Sequence, residues 1–249
     1  MVAIWTYVLL SVFLVSAVSF VGISALAFNQ RTMKRALFYM VSFSAGALFG
    51  DAFIHLLPEA IAASGFTLEV SLYIITGIVV SFVIEKVMHW NHMHRPGTEE
   101  KIEPFALMNL FGDAVHNSID GLIIGASYLV SVPVGIATTL AVVFHEIPQE
   151  ISDFGVLVYG GFTKWKALFF NFLVALTAIA GAAAALLLGN YVSGVTAFLV
   201  PFAAGNFIYI AGSNLIPELQ KEVRPIKSLK QTITLLLGIF VMLAIALLE

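Results

Sequence analysis

The chain contains no cysteine. Disulfides and thiolate metal sites are thereby excluded, so a bound metal would have to be held by imidazole, carboxylate or amide groups. Charge is scarce as well. Asp, Glu, Lys and Arg make up 11% of the 249 residues, whereas a soluble domain carries about 25%. Short runs of alternating polarity are also missing, which removes a membrane β-barrel. The composition is instead 60% hydrophobic, gathered into long runs. A hydrocarbon core of ~30 Å needs roughly 20 apolar residues per helix. Eight runs meet that need: approximately Trp5–Phe28, Lys34–Pro58, Leu68–Met88, Pro104–Tyr128, Pro133–Tyr159, Ala167–Asn190, Val195–Pro217 and Ile233–Leu248. The expected fold class is therefore an all-α integral membrane protein with eight transmembrane helices in the lipid bilayer. No soluble domain is visible, so residues 1–249 read as a single transmembrane domain. The first run starts close to Met1 with no basic stretch before it, which predicts a span rather than a cleaved signal peptide.

The twelve Lys and Arg gather at four connections. Arg31, Lys34 and Arg35 lie between runs one and two, and Lys86, Arg95 and Lys101 between three and four. Lys164 and Lys166 lie between five and six, and Lys221, Arg224, Lys227 and Lys230 between seven and eight. The loops near Ser64, Ser131 and Tyr191 have none. Eight spans put the four basic connections on one side, which the positive-inside rule makes cytoplasmic, with both termini outside. The connector at 89–103 carries three of the six histidines, His89, His92 and His94. It reads either as a solvated loop or as a loose metal-collecting segment.

Ionisable residues inside spans cost roughly 2.5–3.5 kcal/mol each on insertion and usually mark a pathway. Run four carries Asp113, His116, Asn117 and Asp120. Run five carries His145, Glu146, Gln149, Glu150 and Asp153, and run two carries Asp51, His55 and Glu59. Steps of three and four place Asp113, His116 and Asp120 on one stripe. His145, Gln149 and Asp153 form a second, with Glu146 and Glu150 displaced by about 100° each. Asp51, His55 and Glu59 form a third. His116 and Glu146 fall near the middle of antiparallel neighbours, so their densest sets of donors share one depth. Pro148 removes a backbone donor between Glu146 and Glu150 and bends the helix beside His145.

No Lys or Arg sits among these carboxylates, so protons or metal cations must neutralise them. Imidazole with carboxylate suits Zn(II), Fe(II) or Mn(II). Anionic and sugar substrates fit poorly, and no nucleic-acid partner is expected. Polar residues that merely bond helices together are the competing account, as is a proton-conducting or metal-sensing membrane protein. A metalloprotease would need H-E-x-x-H. His145-Glu146-Ile147-Pro148-Gln149 lacks the second His, so no catalytic residue and no enzyme activity are expected. Pro58-Glu59 after His55-Leu-Leu and Pro217-Glu218 after Asn214-Leu-Ile lie on oppositely directed runs and hint at an inverted repeat.

HNSIDG (116–121) and HEIPQE (145–150), preceded by DAFIHLLPEA (51–60), resemble the ZIP family of Zrt-, Irt-like metal transporters. The likeness is to the branch with HNFxDG and HEIPHE motifs, and it runs from run two to the LIPE of run seven. The resemblance implies helices arranged 3+2+3, both termini outside, and zinc or a related divalent metal moving toward the cytosol. It further implies a two-metal site between helices four and five and homodimers, in what we expect to be a plasma or inner membrane. By motif position the ligands are His116, Asn117, Asp120, His145, Glu146, Gln149 and Glu150. The transported metal aside, no cofactor is implied. Asp51, His55, Glu59, Asp113, Asp153, Asn214 and Glu218 are candidate pathway residues. Three departures stand out: Gln149 where that branch has His, Asn214 where it tends to have Asp, and no long His-rich domain within these residues.

Overall fold

A computed structural model describes residues 2–27, 30–93, 102–189 and 192–247. All regular structure among them is helical. Helix α1 (Val2–Ala17) continues as a 3-10 segment, Val18–Ala27. Helix α2 (Gln30–Gly50) passes through a π segment, Asp51–Leu56, into α3 (Leu57–Ser64). Then come α4 (Leu68–Met93), α5 (Pro104–Val130), α6 (Val132–Tyr159), α7 (Lys164–Ala175) and α8 (Thr177–Leu188). Helix α9 (Val192–Tyr209) passes through a second π segment, Ile210–Leu215, into α10 (Ile216–Gln220), and α11 (Pro225–Ala246) follows.

The helix ends follow local chemistry. Pro104 and Pro225 occupy the first helical turn, where a missing N–H costs nothing. The Ser131 hydroxyl accepts from Val134 N–H and Thr163 from Lys166 N–H, capping α6 and α7. Helix α11 begins at Pro225, ahead of Ile233 where the apolar run starts; its first two turns carry Lys227 and Lys230 and so fall outside that run. Helix α4 runs on to Met93, past the expected end of the third run. The side chains of His89 and His92, and all of His94, lie outside the described residues.

Among the described residues six stretches are long and apolar enough to cross a membrane: Ile4–Gly22, Ala36–Ser64, Leu68–Val87, Lys164–Leu188, Gly194–Gln220 and Pro225–Ala246. Helices α5 and α6 match them in length, at 27 and 28 residues, but interrupt their apolar sequence with His, Asn, Asp, Glu and Gln. Polarity is inverted relative to a soluble protein. Leu72, Val79 and Phe82 of α4 and Leu236 and Phe240 of α11 face outward, while His116, Glu146 and Glu150 are fully buried. An apolar exterior of this extent, on helices long enough to span, marks a membrane-embedded surface. The protein is a multi-pass integral membrane protein.

Lipid gives helices no hydrophobic reason to associate, so close backbone packing must hold them. Three pairs achieve this with reciprocal glycines. A Cβ on Gly46 of α2 would run into the Leu235 carbonyl of α11, and one on Gly238 of α11 into the Phe43 carbonyl of α2. Gly77 of α4 and Gly205 of α9 stand in the same relation, through Phe202 and Ile74, as do Gly121 of α5 and Gly181 of α8, through Ala178 and Ser118. The main apolar core, with Leu56, Met108, Ile119, Phe154 and Phe207, lies where α2, α5, α6 and α9 meet.

The two π segments correspond closely. Each spans 6 residues and precedes a proline. Leu57 N–H bonds back to the Ala52 carbonyl, and Ile216 N–H to the Ala211 carbonyl, five residues each time. Pro58 and Pro217 have no N–H to give, so the preceding turn widens to keep its carbonyls engaged.

Candidate metal centre

Helices α5 and α6 are joined only through Ser131 and pack along their length, which brings the middle of each to the same depth. There His116, Asp120, His145 and Glu146 converge, all buried, with one donor atom from each within 4.8 Å of all the others. His145 Nε2 is 3.1 Å from Asp120 Oδ2 and 3.8 Å from Glu146 Oε1. His116 Nε2 is 3.6 Å from the same Asp120 oxygen and 3.3 Å from the same Glu146 oxygen. Two donors about 2.1 Å from a tetrahedral zinc stand roughly 3.4 Å apart. The four separations bracket that value, so two imidazoles and two carboxylates could hold one ion with little movement.

A third helix supports the cluster. Asp51, the first residue of the π segment, places its Oδ2 3.7 Å from His116 Nδ1, behind the ring. The other oxygen, Asp51 Oδ1, lies 2.9 Å from His55 Nδ1. A carboxylate behind a ligating imidazole fixes its orientation and raises its basicity. The His55 ring is in turn 5.2 Å from that of His145, and His55 Nε2 is 4.0 Å from Glu59 Oε2. The stripe Asp51–His55–Glu59, separate in sequence, thus joins the α5–α6 cluster.

A cavity of about 180 Å³ opens onto it, lined by His55, Glu59, Asp120, Ile123, Thr138, Val142 and His145. Glu59 is 39% exposed and His55 22%, so the polar lining runs from the surface to the buried ligands. The cavity faces the end of the bundle that carries Gly65 and Ser131. Toward the opposite end, Met108, Phe154 and Leu157 are fully buried and seal the helices together.

The remaining residues singled out in the sequence fall into two groups. Asn117, Asp113, Gln149, Glu150 and Asp153 are buried beside the cluster. Asn117 donates to Asp113 at 2.7 Å, and Gln149 keeps its amide nitrogen without a hydrogen-bond partner. Asn214, in the second π segment, is buried with its nitrogen likewise unpartnered. Glu218 is set apart from the cluster: it accepts from the Tyr159 hydroxyl at 3.3 Å and pairs with Lys221. Among the described residues Lys221 pairs with Glu218, and Arg224 and Lys227 pair with Glu222, none of the three with Asp51, Asp113, Asp120, Glu146, Glu150 or Asp153.

Sequence reading overlooked three buried asparagines. Asn109 donates to Asp153 at 2.9 Å, Asn171 donates to Glu150, and Asn206 donates to Ser81 at 2.7 Å. Asn109 lies one turn before Asp113, a spacing that could have drawn attention to it. Nothing in the sequence around Asn171 or Asn206 separates them from ordinary polar bonds between helices.

Comparison with known proteins agrees with this geometry. The family described as ZIP zinc transporter matches residues 2–103 and 91–246. The chain is 30% identical to zinc transporter SLC39A7 of Mus musculus, over 100% of this chain and 71% of the relative. It is 35% identical to zinc transporter ZIP13 of Pongo abelii, over 84% of this chain and 66% of the relative. Zinc transporter zipt-7.2 of Caenorhabditis elegans is 28% identical over 99% of this chain and 66% of its own length. A family match over nearly the whole chain, with the matching motifs folded into one buried set of metal donors, decides the affiliation: the chain belongs to the ZIP zinc transporter family.

Proposed function

We propose that the protein carries divalent transition metals, Zn(II) foremost, from the outside toward the cytosol through the site between α5 and α6. The observation that carries this reading is the cluster of His116, Asp120, His145 and Glu146. It is a buried, zinc-sized set of donors, and Lys221, Arg224 and Lys227 pair with Glu218 and Glu222 instead of with it. Asn117, Gln149 and Glu150 complete a two-metal site beside it. Asp51, His55 and Glu59 form the outer approach, and Asp113, Asp153, Asn214 and Glu218 line the inner one.

In this reading α5 and α6 cross the bilayer along with the six more apolar stretches, giving eight spans in a 3+2+3 arrangement. The matched π segments, and the glycine contacts α2–α11 and α4–α9, support an inverted repeat. The basic connections place the sealed end of the bundle in the cytosol and the cavity outside. The structure then corresponds to an outward-open state. Pairing of two copies in the membrane belongs to the same reading and rests on the family resemblance. The chain acts as a carrier and not as an enzyme, and its metal is cargo.

Uptake into proteoliposomes, with Zn(II), Fe(II), Mn(II) and Cd(II) competed against one another, tests the proposal. Saturable Zn(II) uptake that the other metals inhibit is the expected result. Collapse of a proton gradient with no metal uptake would overturn it.

A further inference from the structure

Beside the four-donor cluster, three buried carboxylates follow one rule. Asp113, Glu150 and Asp153 each receive an asparagine amide N–H on one oxygen. Each leaves its other oxygen, Asp113 Oδ2, Glu150 Oε1 and Asp153 Oδ2, buried without a hydrogen-bond partner. The amides come from Asn117 and Asn109 of α5 and Asn171 of α7. Asn117 Oδ1 and Asn171 Oδ1 are themselves buried and unpartnered. Five buried oxygens on these residues are therefore left without a protein donor, and the ion pairs of Lys221, Arg224 and Lys227 go to Glu218 and Glu222 instead of to these carboxylates.

The choice of clamp is chemically informative. A guanidinium or ammonium would hold a carboxylate more tightly but would cancel its charge. A neutral amide fixes the direction of one oxygen and leaves the negative charge for something else. If these residues served only to bind helices together, complementary donors would satisfy the second oxygens. What remains is an excess of hard oxygen donors, the kind that coordinates divalent cations. Position along the helices adds direction. From Asp120 back to Asp113 and Asn109 on α5, and from His145 on to Glu150 and Asp153 on α6, both antiparallel helices lead away from the cavity. Both lead toward the end where Glu103 N–H meets the Gly160 carbonyl.

Building on the transport reading above, we infer that Asn109 and Asn171 are positioning residues. They hold Glu150, a ligand of the second metal in that reading, and Asp153 as oxygen donors between the four-donor cluster and the cytosolic end. A metal leaving the imidazoles passes to a harder, weaker set of ligands, which favours release. Neither asparagine need touch the metal.

Zinc uptake by wild-type and variant proteoliposomes at matched protein content tests this. Loss of such an outer partner costs about 10–100-fold in activity, so Asn171→Ala and Asn109→Ala should lower turnover by about tenfold. Loading from outside uses the intact cluster, so KM should stay within about twofold. Asn171→Gln, which keeps the amide, should restore most of the rate. The decisive arm is a double-mutant cycle, because a residue acting through Glu150 loses its effect once Glu150 is changed. Asn171→Ala should therefore change little when Glu150→Gln is already present. Should Glu150→Gln leave too little flux, the cycle is read from Cd(II) binding to the purified protein. Wild-type turnover in Asn171→Ala, or an equal loss with and without Glu150, would overturn the inference. Absence of zinc uptake by the wild type would instead overturn the transport reading.

Discussion

His145 Nε2 on α6 faces Asp120 Oδ2 on α5 across 3.1 Å. The two residues are 25 positions apart in sequence and belong to different motifs. Their approach joins two helices into one set of metal donors.

Removing either partner should disable that set. We expect His145→Ala and Asp120→Ala to reduce zinc uptake by at least about 100-fold, because each deletes a proposed metal donor. Membrane abundance should be unchanged. Uptake at the wild-type rate by both variants, at equal abundance, would take these residues off the route.

Gln149 lies one turn beyond His145 and is buried, its amide nitrogen without a partner. An amide oxygen binds borderline metals more weakly than imidazole and discriminates less against Mn(II). Gln149→His should therefore tighten Zn(II) binding and lower Mn(II) uptake relative to Zn(II). Turnover and equilibrium affinity need separate measurement, since tighter binding can slow release. If neither the affinity nor the Zn(II)/Mn(II) preference moves, Gln149 does not set selectivity.

The reciprocal glycines make a prediction about stability. Any side chain on Gly121 or Gly181 must push α5 and α8 apart, and overpacking of this kind costs about 1–3 kcal/mol. Gly121→Val should lower the melting temperature of the purified protein by several degrees, as expected for such a loss. Gly194→Ala serves as the control, because a Cβ there meets nothing within 4 Å. Equal melting of the two variants would show that close packing at Gly121 contributes little.

Topology can be read cleanly because the chain has no cysteine of its own. Single cysteines replacing Ser131 and Lys166 should react with an impermeant thiol reagent from opposite faces of the membrane. Labelling of both from one face would break the orientation given by the basic connections.

Much of the site was legible in sequence because a helix has a fixed period. The motifs containing His116, Asp120, His145 and Glu146 could be placed at one depth from spacing alone. Asp51 could not be joined to them that way. Its contact with His116 depends on the packing of α2 against α6, which leaves no periodic trace. Helix α11 starts ahead of the apolar run for a related reason: hydropathy marks where the apolar stretch begins, while Pro225 marks where the helix begins. The asparagines that hold Glu150 and Asp153 stayed hidden because a lone amide in an apolar helix has many uses. Only its partner reveals which one applies.

The π segment of α2 has a consequence for what one helix can do. Because Leu57 reaches back five residues to Ala52, residues after the segment are rotated relative to an unbroken α-helix, by about 100° for one extra residue. Gly46 and Gly50, before the segment, can therefore lie flat against α11 while Glu59, after it, lines the cavity beside His55 and His145. The extra residue works as a phase shift between two binding faces of a single rod. Deleting one residue between 51 and 56 would bring the faces back into phase. The helix could then satisfy its neighbour or its cargo, but not both.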